Sequence, residues 1–350
     1  MAHAKSNVRS HPAIHWQTTR NPRQVFWDVI LLLGIALLLA FLSTRVDSAL
    51  LSRVAGILTQ SRPVTQDEPV LQPVDWASVA DLVSALKDPN PSVRVSAAEA
   101  LGSKHALAAT DALLAATYDS NTQVREEAAA ALGDLGAIQA LPRLEELQIL
   151  SGNTYIEIAA FEAEGKITKE VGAAIGVPRS SVQALTVAQN GTAYAAALNE
   201  FYALNDGEWQ HVGQLPASPN DLSAGPDGRL IFMSTVSAGL YRSQDGGKTW
   251  EHLQYGLQTP TQLKTTAVVV NLKNVDQIYV ALAVNGSTSD LLNPLGIVSS
   301  NDGGKTWLML PDSPNSSVTS ALIIDRTNYR FLYGMSDVGP WGYQLPADAN

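Results

Sequence analysis

Ser243-Gln-Asp-Gly-Gly-Lys-Thr-Trp250 and Ser300-Asn-Asp-Gly-Gly-Lys-Thr-Trp307 decide how the second half of this chain is read. In each, Asp-Gly-Gly supplies a tight hairpin turn, because glycine takes positive φ at no steric cost. The Ser, Asp and Thr are placed to bond the turn to its own backbone, and the Trp that follows can lie on a sheet face. The same octapeptide grammar twice in one chain points to a repeated strand-turn-strand unit.

Working outward, four apolar runs alternate in the manner of strands: Val182–Ala196, Leu222–Thr235, Ala267–Ala283 and Ser320–Gly334. Each passes a polar turn at its middle. The second and third runs lead into the two octapeptides. After the first, Asn205-Asp-Gly-Glu-Trp209 is a worn copy without the Ser and Thr. After the fourth, Trp341-Gly-Tyr343 begins a third strand. Residues 166–176 are the expected source of a further strand that would close the fourth unit.

These octapeptides resemble the Asp-box (BNR) repeat, with Ser243, Asp245, Gly247, Thr249 and Trp250 in one copy and Ser300, Asp302, Gly304, Thr306 and Trp307 in the other. The resemblance implies a β-propeller, as in sialidases, sortilin-type receptors and the photosystem II stability/assembly factor. In that family the box is a structural staple without chemistry of its own.

Residues 75–165 repeat with a period of about 31. Asp88, Val93, Arg94, Ala97, Ala98, Leu101 and Gly102 match Asp119, Val124, Arg125, Ala128, Ala129, Leu132 and Gly133, and a looser third copy carries Ala159-Ala160. Each unit reads helix, turn, helix: Pro89 and Pro91 sit in the turn, and Gly102 and Gly133 stand near the end of the second helix. This pattern resembles HEAT-like repeats of the phycobilisome lyase type. The recurrence of Arg94 and Arg125 predicts a ladder with Asp88 and Asp119. The acidic residues Glu126, Glu127, Asp134, Glu145, Glu146, Glu157, Glu162 and Glu164 read mostly as a solvated helix face, the alternative being a docking surface for a basic partner.

The N-terminal part has a different character. Val25 to Leu42 reads VFWDVILLLGIALLLAFL, nearly long enough to cross a hydrocarbon core at 1.5 Å per residue. About a dozen Leu, Ile, Val and Phe favour insertion by about 5 kcal/mol; the alternative to a retained anchor is a cleaved signal peptide, since Val29–Leu42 has the length of its apolar region. Lys5, Arg9, Arg20 and Arg23 precede it without an acidic residue, which places the N-terminus in the cytoplasm and the remainder across the membrane.

The organisation expected is therefore a basic cytoplasmic tail (1–24), a transmembrane helix (25–43), an amphipathic extension and Pro-containing linker (44–74), a HEAT-like α-solenoid (75–165) and an Asp-box β-propeller domain (166–350). As a fold class this is multidomain α plus all-β, with a small propeller of four repeats, closed or partial.

Composition narrows the function. The 350 residues carry a formal charge of −10, which excludes the concentrated basic face of a nucleic-acid binder, and no Cys. The six His show no ligand spacing, no phosphate-cradling loop is present, and the Arg-Ile-Pro signature of sialidases is missing. No catalytic, cofactor-binding or metal-ligating residues are expected. Arg242 and Arg229 read as surface positions.

The expected role is a non-catalytic scaffold, accessory subunit or assembly factor of a membrane protein complex, photosynthetic or respiratory by the Asp-box resemblance. Its partners would be integral membrane subunits, with lipid around the helix. Trp27, Ile30, Leu33, Leu37 and Phe41 would make intramembrane contacts, and Leu291, Leu292 and Leu295, within the insertion 284–295, would form a docking loop. The alternative is an extracytoplasmic glycan-binding or sialidase-like protein.

Overall fold

Six helices open the structure, a computed structural model describing residues 78–253, 263–285 and 292–345. They are α1 (Val79–Ala85), α2 (Pro91–Ser103), α3 (Thr110–Ala116), α4 (Thr122–Asp134), α5 (Leu141–Leu150) and α6 (Thr154–Ile175). The expected membrane helix with Trp27, Ile30, Leu33, Leu37 and Phe41, the segments flanking it, and Leu291 lie outside the described residues. Among the described residues no helix is long and apolar enough to cross a membrane.

The helical repeat is built by the same local rules in each unit. Asn90, Asn121 and Asn153 cap α2, α4 and α6, each accepting a main-chain N–H in the first turn through its side chain. The paired alanines 97/98, 128/129 and 159/160 are all buried, which lets α2, α4 and α6 stack closely. Gly102 lies against Ala131, and Gly133 against Ala163 so tightly that a Cβ there would collide with its main chain.

The predicted ladder is present at Arg94 and runs from one repeat to the next. Arg94 binds Asp119 of the next repeat with two 2.7 Å hydrogen bonds and donates to the main-chain carbonyl of Asp88, not to its carboxylate. Arg125 repeats only the main-chain half, donating to the Asp119 carbonyl. The Arg94 guanidinium holds the Asp119 carboxyl below its usual range.

Four antiparallel sheets follow, each made of strands consecutive in sequence. The first is β1 (Val182–Val187), β2 (Ala193–Ala197), β3 (Glu200–Asn205) and β4 (Glu208–Gln214). The second is β5 (Pro219–Ala224), β6 (Ile231–Thr235), β7 (Leu240–Ser243) and β8 (Glu251–Leu253). The third is β9 (Leu263–Val270), β10 (Ile278–Asn285), β11 (Leu292–Ser300) and β12 (Leu308–Met309). The fourth has three strands, β13 (Thr319–Ile324), β14 (Phe331–Ser336) and β15 (Gly339–Gln344). All four expected runs are the first two strands of a sheet.

The strand expected over residues 166–176 is instead the second half of α6. Ile167, Val171 and Gly172 are buried at helical spacing, so this apolar pattern was helical, and the helix ends only at Gly176, with φ at +79°.

Sheets stack face to face, and alternation along each strand shows it. In β6, Ile231 and Met233 point into the cluster shared with the first sheet, while Phe232 points into the one shared with the third. Leu322, Ile324 and Leu332 of the fourth sheet pack on Tyr279, Ala281 and Ile297 of the third. The first sheet's other face carries Leu185, Val187, Ala193, Ala195, Tyr202, Leu204 and Trp209, all packed on the solenoid core. Every residue of β2 is consequently buried.

Both Asp-boxes form the expected staple. Ser243 Oγ accepts the Gly247 N–H at 2.8 Å and donates to Asp245, which accepts the Thr249 N–H at 2.9 Å and the Thr249 hydroxyl. Ser300, Asp302, Gly304 and Thr306 repeat the pattern. These donors, the Thr249 hydroxyl foremost, hold the Asp245 carboxyl down at about 2, and Asp302 is lowered by the same bonds.

The staples also join neighbours. Gly247 (φ +89°) lies against the Phe201 ring of the first sheet, and Gly304 (φ +91°) against Leu253 of the second. Arg242 is a clasp between sheets, not a surface residue: it donates to the Gly303 carbonyl of the next box and to Glu251. Its packing depends on a sheet that is distant in sequence, which no local pattern announces.

Two glycines with the same backbone should respond differently to a methyl group. Gly247→Ala meets a stiff ring edge on, and we expect it to lose about 2–5 kcal/mol of stability in denaturant unfolding. Gly304→Ala meets the end of a Leu side chain at 2.7 Å, which can rotate, and should lose less. Equal losses would contradict the packing described.

Candidate functional site

The inner strands β1, β5, β9 and β13 stand next to one another in that order, and each is kinked at the same place. The pairing of each inner strand with the next strand slips once, leaving Gln183, Asn220, Thr266 and Ser320 as the extra residue of a β-bulge. Gln183 donates to Ser218, just before β5, and Asn220 donates to the Thr266 carbonyl of the third sheet at 2.6 Å. Two further side chains of β5 satisfy β9: Asp221 accepts the Val268 N–H at 2.9 Å, and Ser223 the Val270 N–H at 3.1 Å. The inner edge of the third sheet is thus held by its neighbour.

Helix α5 packs against β1 and β14, and α6 against β1. The solenoid therefore occupies the side on which the fourth sheet would otherwise face the first. Between these parts lies a recess of about 950 Å³. Its walls are the four inner strands, one face of α5 (Leu141, Glu145, Gln148) and one face of α6 (Phe161, Glu164, Thr168). Arg179 and Arg326 stand at its margin, and the Arg179 guanidinium lies directly over Gly165.

Four carboxylates line this recess, and three are engaged. Glu146 accepts from Arg143 at 2.7 Å, Glu164 from Gln148 at 2.8 Å, and Asp221 from two main-chain N–H groups. Glu145 accepts no hydrogen bond among the described residues, and the surface it keeps opens onto the recess. Burial pushes its carboxyl up to about 8, with Glu164 and Asp221 adding to the effect and Arg326 opposing it. Burial likewise raises Asp221 to about 6, against the pull of its two N–H donors.

The expectation that the acidic residues form one solvated face is therefore corrected at two positions. Glu145 is half-buried and faces the recess, and Glu127 is raised to about 7 by burial and by Glu99. Helical periodicity marks Glu145 as off the solenoid core, but nothing local shows that a distant sheet covers it. Asp221 had one signal available, an acid immediately before the buried Leu222 of a strand.

Other predicted residues fall elsewhere. Trp250 meets Phe201 edge to face at 5.3 Å, and Trp307 is buried between the second and third sheets. Leu292 and Leu295 lie in β11, the latter packed partly against that same cluster. The remaining His are apart: His105 bonds the Asp134 carbonyl, His211 bonds Glu200, and His252 stacks on Tyr241. No group of three or more His, Asp or Glu able to hold a metal ion occurs among the described residues.

Residues 79–163 match the family model of HEAT repeats. The helical half thus carries HEAT repeats, and an Asp-box, propeller-like array of sheets follows it. Comparison with curated proteins gives no match.

Among solved structures, the GH74 enzyme of Niastella koreensis is similar at 19% identity and a TM-score of 0.38, over 53% of this chain and 30% of that one. YCF48 bound to D1 peptide is similar at 13% identity and a TM-score of 0.38, over 47% of this chain and 50% of that one. The complex of CpcE and CpcF of phycocyanin lyase from Nostoc sp. PCC7120 is similar at 27% identity and a TM-score of 0.25, over 32% and 43%. The chain thus spans half or less of each of these structures.

The raised carboxyls have a consequence for stability. A carboxyl whose folded-state value lies above its unfolded one binds more protons when folded, so stability is greatest below the unfolded value. It is then lost as pH rises: between about 4.5 and 8 for Glu145, and between about 4 and 6 for Asp221. We expect the melting temperature to fall as pH rises from 5 to 8.5. Glu145→Gln should reduce that fall by keeping the site neutral, read by calorimetry at both ends. An unchanged pH slope would show that Glu145 is hydrated in the folded state.

Proposed function

We propose that this protein is a non-catalytic, membrane-anchored scaffold, accessory subunit or assembly factor whose solenoid and sheet array hold other proteins of a membrane complex. One observation carries the reading: three of the four carboxylates in the shared recess, Asp221 among them, are held in intramolecular bonds that serve the fold. The anchor is read from Val25–Leu42 and the basic residues before it, which would restrict the other modules to partners near the bilayer surface. The Asp-box resemblance directs the first search to photosynthetic and respiratory complexes. The expected docking loop is in its described part the end of the β10–β11 hairpin, and Leu292 there is a second contact surface under this reading.

A glycan-cleaving role is the rival, and a specific observation favours it: Glu145 and Asp221, both raised, line one recess, as an acid and its partner would.

Purification of the full chain in mild detergent tests the proposal. We expect membrane subunits to co-migrate with it. A chain released from the membrane, eluting alone and cleaved near residue 48, would contradict it. In parallel, a fluorogenic sialoside and a β-glucan should not be turned over; turnover abolished by Glu145→Gln would establish the rival.

A further inference from the structure

The turn joining β9 to β10 and the turn joining β13 to β14 meet at a pocket of about 410 Å³. Asn271, Lys273 and Asn274 line it from the first turn, and Asn328, Tyr329 and Arg330 from the second. Two cations and three amides thus face one space with no carboxylate among them, in a chain whose formal charge is −10. The acids of these two turns are engaged elsewhere. Asp325 accepts the main-chain N–H groups of Thr327 and Asn328 and the Thr327 hydroxyl. An Asp276 oxygen lies against Gly303, where Arg242 crosses from the second sheet.

The polar groups left over are donors. Asn271 is fully used: its NH2 donates to Gln277 at 2.6 Å, and its oxygen accepts the Lys273 N–H at 2.9 Å. The Asn274 oxygen accepts the Asp276 N–H, which leaves its NH2. Lys273 Nζ stands 4.3 Å from the centroid of the Tyr329 ring, a contact that orients an ammonium without neutralising it. Tyr329 itself has φ at +54°, a left-handed conformation that strains a bulky residue. Arg330 supplies the deciding observation: its Nε–H is buried and has no hydrogen-bond partner among the described residues. A guanidinium N–H in that position is costly unless an acceptor reaches it. Between the first and second sheets the matching turns close on each other, Asn190 donating to the Asp227 carbonyl at 2.9 Å. Between the third and fourth they meet only through Lys273 on Tyr329, and the pocket stands beside that contact.

We propose that this pocket binds a phosphate oxyanion, as inorganic phosphate or as the phosphate of a small monoester, between Arg330 and Lys273. The edge of a guanidinium that carries Nε–H presents two parallel donors, a spacing that fits two oxygens of one anion. Lys273 adds a second full charge from the opposite turn, and the Asn274 and Asn328 amides can donate to the remaining oxygens. Donors arriving from two turns suit a tetrahedral dianion, which accepts in several directions. A planar carboxylate monoanion would engage the Arg330 edge and leave the others. This is a small-molecule site, separate from any surface that holds partner proteins.

Isothermal titration of the full chain in mild detergent and chloride buffer tests it with inorganic phosphate, glycerol 3-phosphate and acetate. We expect one site per chain for phosphate, glycerol 3-phosphate or both, with a Kd of about 1 mM or tighter, and acetate at least roughly tenfold weaker. Tighter binding of the ester makes a small phosphorylated molecule the source, and tighter binding of phosphate makes it the free ion. Arg330→Gln should weaken binding roughly thirtyfold and Lys273→Gln roughly tenfold, each through loss of charge-assisted bonds. Arg330→Lys keeps the charge without the planar edge and should fall between parent and Arg330→Gln. Lys169→Gln, at an exposed position of α6, should change nothing. Phosphate should raise the melting temperature of the parent and not that of Arg330→Gln. If Arg330→Gln melts below the parent in chloride alone, Lys273→Gln carries the comparison.

No binding of either phosphate compound, acetate binding as tightly as phosphate, or equal affinities in the parent and both Gln variants would overturn the proposal.

Discussion

A β-sheet with apolar residues on both faces must be covered on both. Here that constraint governs everything after residue 180. Each of the two middle sheets alternates so that one face serves the sheet before it and the other the sheet after it. Such a stack has two ends, and the first end is the solenoid: Leu185, Val187, Ala193, Ala195 and Trp209 belong to the same apolar cluster as Leu132, Leu144 and Ile156. At the other end, α5 reaches β14 and leaves the recess between. The helical repeats are therefore part of the sheet array's own core.

The remaining devices serve this stacking. Asp-box turns place a glycine where a neighbouring sheet comes closest, and Arg242 crosses from the second sheet to the third. Bulges at Gln183, Asn220, Thr266 and Ser320 interrupt each inner strand once, and the side chains of Gln183 and Asn220 reach across to the neighbouring segment. Asp221 and Ser223 satisfy main-chain groups that the inner edge of β9 would otherwise expose to the recess. The polar groups near the axis are thus largely structural, which is why Glu145 stands out among them.

Much of the architecture was legible in the sequence because its signals are local. Asp-Gly-Gly turns, period-two runs and the 31-residue helical period each depend on neighbours along the chain, and all became the elements expected. Residues 166–176 misled because a short apolar run before a Gly-Val-Pro sequence fits a strand as well as a helix. The recurrence of Arg94 and Arg125 with Asp88 and Asp119 announced a ladder, but which partners meet is set by stacking, which presents the next repeat's Asp119 to Arg94. Arg242, Glu145 and Asp221 owe their surroundings to segments 40 or more residues away, as with Arg242 and Gly303 or Asp221 and Val268. No pattern within a repeat encodes that, since it depends on how many sheets fit before the stack meets the helices.

The central claim is that HEAT repeats and sheets share one core and fold as one unit. Hydrogen exchange of the native full chain across a denaturant series tests it most directly. The account predicts that amides of α4 and α6 and those of β2 and β6 open together, with one free energy and one denaturant dependence. Exchange of the helical amides at markedly lower denaturant, with the sheets still fully protected, would show two independent domains and contradict it.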